Sequence, residues 1–132
     1  MKEIILIDDE PLVNKIHTAL IRSARADQLL TPFTDPVLGF TYVKDHPGNI
    51  LVLLDINMPV MNAWDFLGEL KEHDISTNII ILSSSINPED KMRAQSYENV
   101  KAFLNKPLSK ANIKKIISVD GLTTEWPSIE FE

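Results

Sequence analysis

A chain of 132 residues with 44% apolar side chains and a formal charge of −6 fits a single domain around one core, and its charge argues against nucleic-acid phosphates as a ligand. The absence of cysteine excludes disulfides, thiolate metal sites and a cysteine nucleophile. Neither a signal peptide nor a membrane segment is expected, because the apolar run Ile4–Ile7 leads straight into Asp8-Asp9-Glu10, and the expected location is the cytoplasm.

In chain order, Ile4–Ile7 is a first strand. Pro11 then opens a helix on which Leu12, Ile16 and Leu20 recur along one face. Leu29–Phe33 is a weaker strand candidate. Asp35-Pro36 reads as a cap with proline in the first helical turn, starting a helix through Val43 that ends before Pro47-Gly48. Ile50–Leu54 is a continuous apolar strand, followed by a helix from Asn62 to His73 carrying Trp64, Leu67 and Leu70. Ile79–Leu82 is a third strong strand, Asn87-Pro88 begins a helix, Ala102–Leu104 is a short strand, and Ser109–Ser118 is a final helix with Ile113, Ile116 and Ile117 inward.

Runs that are apolar throughout, rather than alternating, belong to strands buried on both faces. Five strands alternating with five helices predict a doubly wound α/β three-layer sandwich with a parallel sheet. Residues 1–118 form this domain, and 119–132 are expected to be a short tail, with no effector domain following. His17, His46 and His73 match no ligand spacing and read as solvated.

An open parallel sheet binds its ligands beyond the carboxyl ends of its strands. The residues that follow the apolar runs are Asp8-Asp9, Asp55, Ser83-Ser84-Ser85 and Lys106-Pro107. Singly, each has a plain explanation: an acidic pair before a helix interacts favourably with its dipole, and serines punctuate loops. Jointly, they deliver three carboxylates, a hydroxyl and an ammonium to one edge. Crowded carboxylates rise in pKa unless a cation neutralises them. A hard, oxygen-seeking ion such as Mg²⁺, with Mn²⁺ as a substitute, fits that need. With metal and Lys106 in place, a carboxylate can attack a phosphoryl group while Ser83 supplies a hydrogen bond.

The segments Ile-Leu-Ile-Asp-Asp-Glu at 5–10, Leu-Leu-Asp-Ile-Asn-Met-Pro at 53–59, Ile-Leu-Ser-Ser at 81–84 and Phe-Leu-Asn-Lys-Pro at 103–107 resemble those of two-component response regulator receiver domains, over residues 1 to about 118. The resemblance implies a flavodoxin-like fold with Asp55 as phosphoacceptor. It also implies a metal site of Asp8, Asp9, Asp55 and the backbone carbonyl of Asn57, with Asp9 the direct ligand of the acidic pair. Ser83 and Ser84 would stand at the phosphoryl group, Ser83 as switch hydroxyl, with Lys106 pairing a phosphoryl oxygen and Phe103 as the switch aromatic. Asn57 and Ser85 would occupy the positions that tune dephosphorylation. Ala63 departs from the glycine usual in the family, so a left-handed backbone there would be strained.

The implied function is a signalling phosphoacceptor, not an enzyme in the ordinary sense, although it assists its own phosphorylation and dephosphorylation. Its phosphodonor would be a phosphohistidine on a sensor histidine kinase or histidine phosphotransferase. Its output would be phosphorelay or contact with a downstream protein, without direct DNA binding or membrane attachment. One alternative is a receiver fold acting as an interaction module without phosphorylation. Another is a phosphatase of the haloacid dehalogenase type, but that chemistry usually needs a carboxylic acid two positions after the nucleophile, where Asn57 stands.

Overall fold

A computed structural model of the chain describes residues 2–46, 48–84 and 87–118. Ser85 and the predicted tail 119–132 lie outside the described residues. Five strands and five helices alternate: β1 (Glu3–Ile7), α1 (Pro11–Ala24), β2 (Leu29–Phe33), α2 (Pro36–Asp45), β3 (Ile50–Asp55), α3 (Ala63–Glu72), β4 (Asn78–Ser83), α4 (Pro88–Gln95), β5 (Val100–Asn105) and α5 (Lys110–Ser118). All strand pairs are parallel, in the order β2-β1-β3-β4-β5. The expected doubly wound, flavodoxin-like sandwich is therefore present.

Both faces of the sheet are covered, which explains why the central strands are apolar at every position. Ile5, Ile7, Val52, Leu54, Ile79, Ile81 and Phe103 face a layer that includes Phe40, Phe66, Leu70 and Ala94, from α2, α3 and α4. Ile4, Leu6, Leu51, Leu53, Ile80, Leu82, Ala102 and Leu104 face Ile21, Ile113 and Ile116, from α1 and α5. Pro32, which has no N–H to donate, lies on the edge strand β2.

Local chemistry fixes the helix starts as expected. Asp35 Oδ1 accepts from Val37 and Leu38 N–H at 2.9 and 3.4 Å, and Pro36 begins α2. Asn87 Oδ1 accepts from Glu89 N–H at 2.8 Å ahead of Pro88. Asn62 and Asp65 form a reciprocal capping box at α3.

Two expectations are corrected. Of the Leu12–Ile16–Leu20 stripe only Leu20 packs on the core: Leu12 and Ile16 are 67% and 40% exposed, while Asn14, His17 and Ile21 are buried. Residues four apart drift around the helix by about 40° per step, so a stripe of that spacing slides off the core. His17, expected to be solvated, is only 1% exposed, whereas His46 and His73 are exposed as anticipated.

Ala63 does not take the left-handed backbone that would strain it. Ala63 is the buried first residue of α3, and the left-handed residue is Val60, at φ 69°. A β-branched residue is poorly suited to that region. Val60 is 92% exposed, so its side chain has little packing to lose. Val60→Gly is expected to raise stability by about 1 kcal/mol, read as a higher urea midpoint. An unchanged or lower midpoint would contradict strain at this residue.

Candidate functional site

The carboxyl ends of β1, β3, β4 and β5 bring the anticipated polar residues to one edge. One oxygen from each of Asp8, Asp9 and Asp55 lies within 4.8 Å of the others. Asp8 and Asp55 are buried and Asp9 is half-buried. Asp8 Oδ1 accepts from the Glu10 N–H at 2.9 Å, so the turn into α1 orients this carboxylate. The Lys106 ammonium, after β5, donates to Asp8 Oδ2 at 2.9 Å and Asp55 Oδ1 at 3.0 Å. Its side chain is 9% exposed, against 5% and 4% for the two carboxylates.

Backbone contacts hold the frame around this cluster. Ile56 N–H donates to Leu82 O at 3.0 Å and Lys106 N–H to Ser83 O at 3.0 Å, extending the pairing just beyond the strands. Ser83 is buried at the end of β4, and Ser84 is exposed beside it. Phe103 is fully buried in the core. The Asn57 side chain is exposed, while its backbone contributes a hydrogen bond to Asp55.

The electrostatics mark a cluster short of positive charge. Burial pushes the Asp55 carboxyl up to about 6, with the neighbouring Asp8 charge acting in the same direction. Lys106 and the Asn57 backbone pull it down without cancelling the rise. On Lys106, burial disfavours the charged form, but hydrogen bonds and charges from Asp8 and Asp55 outweigh it and hold the ammonium above its usual range. One lysine therefore serves two carboxylates with a third beside them. An all-oxygen donor set that still raises a carboxyl pKa suits a hard divalent cation.

A cavity of about 220 Å³ lined by Glu10, Val13, Ile16, Ser84, Lys106 and Pro107 opens next to the lysine. A larger hollow, about 610 Å³, lies at the opposite edge of the sheet among Leu67, Thr77, Tyr97 and Lys101.

Comparison with known proteins assigns this architecture. The family model of the response regulator receiver domain matches residues 4–118. The chain belongs to that family. Among curated relatives, the chemotaxis protein CheY of Halobacterium salinarum is 25% identical over 122 residues, covering 92% of this chain and 98% of the relative. The nitrate/nitrite response regulator protein NarL of Escherichia coli is 32% identical over 91 residues, 69% of this chain but 42% of NarL. Among solved structures, a two-component response regulator from Cytophaga hutchinsonii superposes with a TM-score of 0.75 at 24% identity, covering 89% of this receiver and 96% of that chain. The CheY4 chemotaxis protein of Vibrio cholerae superposes with a TM-score of 0.73 at 18% identity and the same coverages. These two structural likenesses bear on the fold alone. This chain is thus a receiver of two-component signalling, and none of its described helices is long and apolar enough to cross a membrane.

Sequence reasoning missed two polar residues at the receiver's site end. Asn14 Nδ2 donates to the Asp8 and Phe33 carbonyls at 3.2 and 3.0 Å. His17 Nε2 accepts from Leu108 N–H at 3.2 Å. The usable signal was the Asn14–His17–Ile21 spacing, which marks one helix face as well as any apolar stripe does.

Proposed function

We propose that this receiver takes one phosphoryl group on Asp55, in a Mg²⁺-dependent reaction, from a phosphohistidine of a sensor kinase or phosphotransfer protein. The observation that carries this reading is the buried Asp55 carboxylate, held 3.0 Å from Lys106 and beside two further carboxylates. An Asp55 oxygen attacks phosphorus, a new P–O bond forms, the P–N bond of the donor breaks, and the imidazole leaves with the electron pair. Lys106 is placed to pair with a phosphoryl oxygen once Asp55 carries the group. Ser83 and Ser84, at the end of β4, can donate to the remaining oxygens.

Asp8, Asp9, Asp55 and the Asn57 carbonyl would hold Mg²⁺, with Mn²⁺ as a substitute. When bound, the ion neutralises the carboxylates and the charge spread over the phosphoryl oxygens. Phe103, from its buried position, is the aromatic proposed to respond, and Asn57 and Ser85 are proposed to tune the lifetime of the acyl phosphate. Output is through another protein, by relay or docking, in the cytoplasm and without direct DNA binding. Residues 1–118 carry this function, with 119–132 as a tail.

Incubation with acetyl phosphate and Mg²⁺ is expected to add the mass of one phosphoryl group to the parent chain and none to Asp55→Asn. Chelation of Mg²⁺ and Asp9→Ala should each suppress the addition. Equal labelling of the parent and Asp55→Asn would overturn the assignment.

A further inference from the structure

The described residues include one buried histidine that the proposed phosphotransfer does not use. His17 is 1% exposed on the inner face of α1, and its Nε2 accepts the Leu108 backbone N–H at 3.2 Å. Only an unprotonated ring nitrogen can accept a hydrogen bond, so the imidazole is neutral and carries its proton on Nδ1. Burial lowers its pKa, Asp8 acts against that shift, and Lys106 adds to it, in keeping with a neutral ring.

Leu108 is two residues beyond Lys106 and is itself 4% exposed, so its N–H has no ready access to water. The Lys106–Leu108 turn is consequently held at both ends. Upstream, Lys106 N–H donates to the Ser83 carbonyl at 3.0 Å; downstream, Leu108 N–H donates to His17. Between these two anchors the Lys106 side chain reaches Asp8 and Asp55. A turn held only upstream would leave a long side chain free to sample positions away from the carboxylates.

Asn14, one turn earlier on the same helix face, does the matching job for the ends of β1 and β2, by donating to the Asp8 and Phe33 carbonyls. The inner face of α1 therefore carries an amide where strand ends present carbonyls, and a ring acceptor where the β5–α5 turn presents an N–H. The polar character of this face has a positional logic that a purely structural helix face would not need.

We propose that His17 is a positioning residue for Lys106: by accepting the Leu108 N–H it fixes the turn from which the ammonium bridges Asp8 and Asp55. The placement of the lysine stands on this geometry alone, while its consequence for phosphorylation rests on the phosphoacceptor reading.

The experiment measures the Lys106–Asp55 coupling by urea unfolding of the full chain, using Lys106→Met, Asp55→Asn and the double variant. The cycle is run in the parent background and repeated with His17→Leu and with His17→Gln. Leucine fills the site without an acceptor, whereas the glutamine amide oxygen reaches about as far as Nε2. His17→Leu is expected to lose roughly half of the coupling or more, and His17→Gln to retain most of it. Should His17→Leu fail to fold, His17→Asn, whose amide falls short of Leu108, supplies the same arm.

An undiminished coupling without an acceptor at position 17, or an equal loss in His17→Gln, overturns the assignment. A second readout is the labelling rate with acetyl phosphate and Mg²⁺. It is expected to fall by about tenfold in His17→Leu, as loss of one hydrogen bond's worth of positioning implies, and to fall no further when Lys106→Met is already present. A parent chain that takes no phosphoryl group would overturn the phosphoacceptor reading and leave the coupling result to decide the role of His17.

Discussion

Asp55→Asn is expected to make the metal-free chain more stable at pH 7.5, by about 1–3 kcal/mol, while abolishing its capacity for phosphorylation. The carboxyl group has an ordinary value of 3.8 and stands at about 6 in the fold, raised first by burial and then by Asp8. Below 3.8 the group is neutral in folded and unfolded chains alike and contributes no difference. Between 3.8 and 6 the folded chain holds a proton that the unfolded chain has released, so stability falls as pH rises through that window. Above 6 the full penalty of an ionised Asp55 is present. Asparagine keeps the shape without the charge and leaves Lys106 its 2.9 Å contact with Asp8. The gain should thus be largest above pH 6 and fade toward pH 4. Urea unfolding of both chains at pH 7.5 and pH 4, in the presence of a chelator, checks it. A variant no more stable than the parent at pH 7.5, or a gain of equal size at both pH values, would count against a strained acidic cluster. Such a cost has a functional sense, since a site left short of positive charge is ready for a cation.

The fold was largely legible in the sequence because its central strands are buried on both faces. Ile50–Leu54 and Ile79–Leu82 carry no polar residue at all, and in the structure the first extends by one residue and the second by one at each end, to Ile50–Asp55 and Asn78–Ser83. The site was legible for a related reason. In a parallel sheet the residue after each apolar run stands on the same edge, so the order of the runs alone groups Asp8, Asp55, Ser83 and Lys106. The weaker β5 was harder, since Lys101 and Asn105 interrupt and end it.

What failed to show was polarity on inner faces. Leu12 and Ile16 look like a core stripe in the sequence and are exposed, while Asn14 and His17 look like surface and are buried. Hydrophobicity ranks side chains by their preference for water and says nothing about backbone groups that need partners where strands end. Asn14 and His17 are inward because the Asp8 and Phe33 carbonyls and the Leu108 N–H are there. The backbone of the β3–α3 loop was hidden for a different reason. The lack of glycine at Ala63 argued against a left-handed backbone there without saying where the chain would turn, and it turns through Val60 before entering α3 at Ala63 with an ordinary helical start.

Lys106→Met should have the opposite effect to Asp55→Asn, with a loss of roughly 3 kcal/mol at pH 7.5 in the absence of metal, because a buried ion pair broken on one side leaves uncompensated charge. Lys106 is the cation hydrogen-bonded to both Asp8 and Asp55, and methionine replaces it with a chain of similar reach and no charge. The carboxyl of Asp55, already at about 6 with the lysine present, must rise further when it is gone, so more of the folded population takes up a proton near neutrality. That protonation limits the loss and makes it shrink as pH falls toward 4. In the Asp55→Asn background the same substitution leaves only Asp8 without its partner, and the loss should be clearly smaller; the difference is the coupling between the two residues. Adding Mg²⁺ should recover part of the stability of Lys106→Met, since an ion that binds the folded chain and not the unfolded one shifts the balance by mass action. It should recover little when Asp9→Ala is also present. Urea midpoints across these variants, with and without Mg²⁺, separate the two sources of positive charge. A Lys106→Met chain as stable as the parent, or one whose loss is unchanged by Asp55→Asn, would mean that the lysine and the acidic cluster act independently, and with that the argument for one electrostatic unit at the end of the sheet would fall.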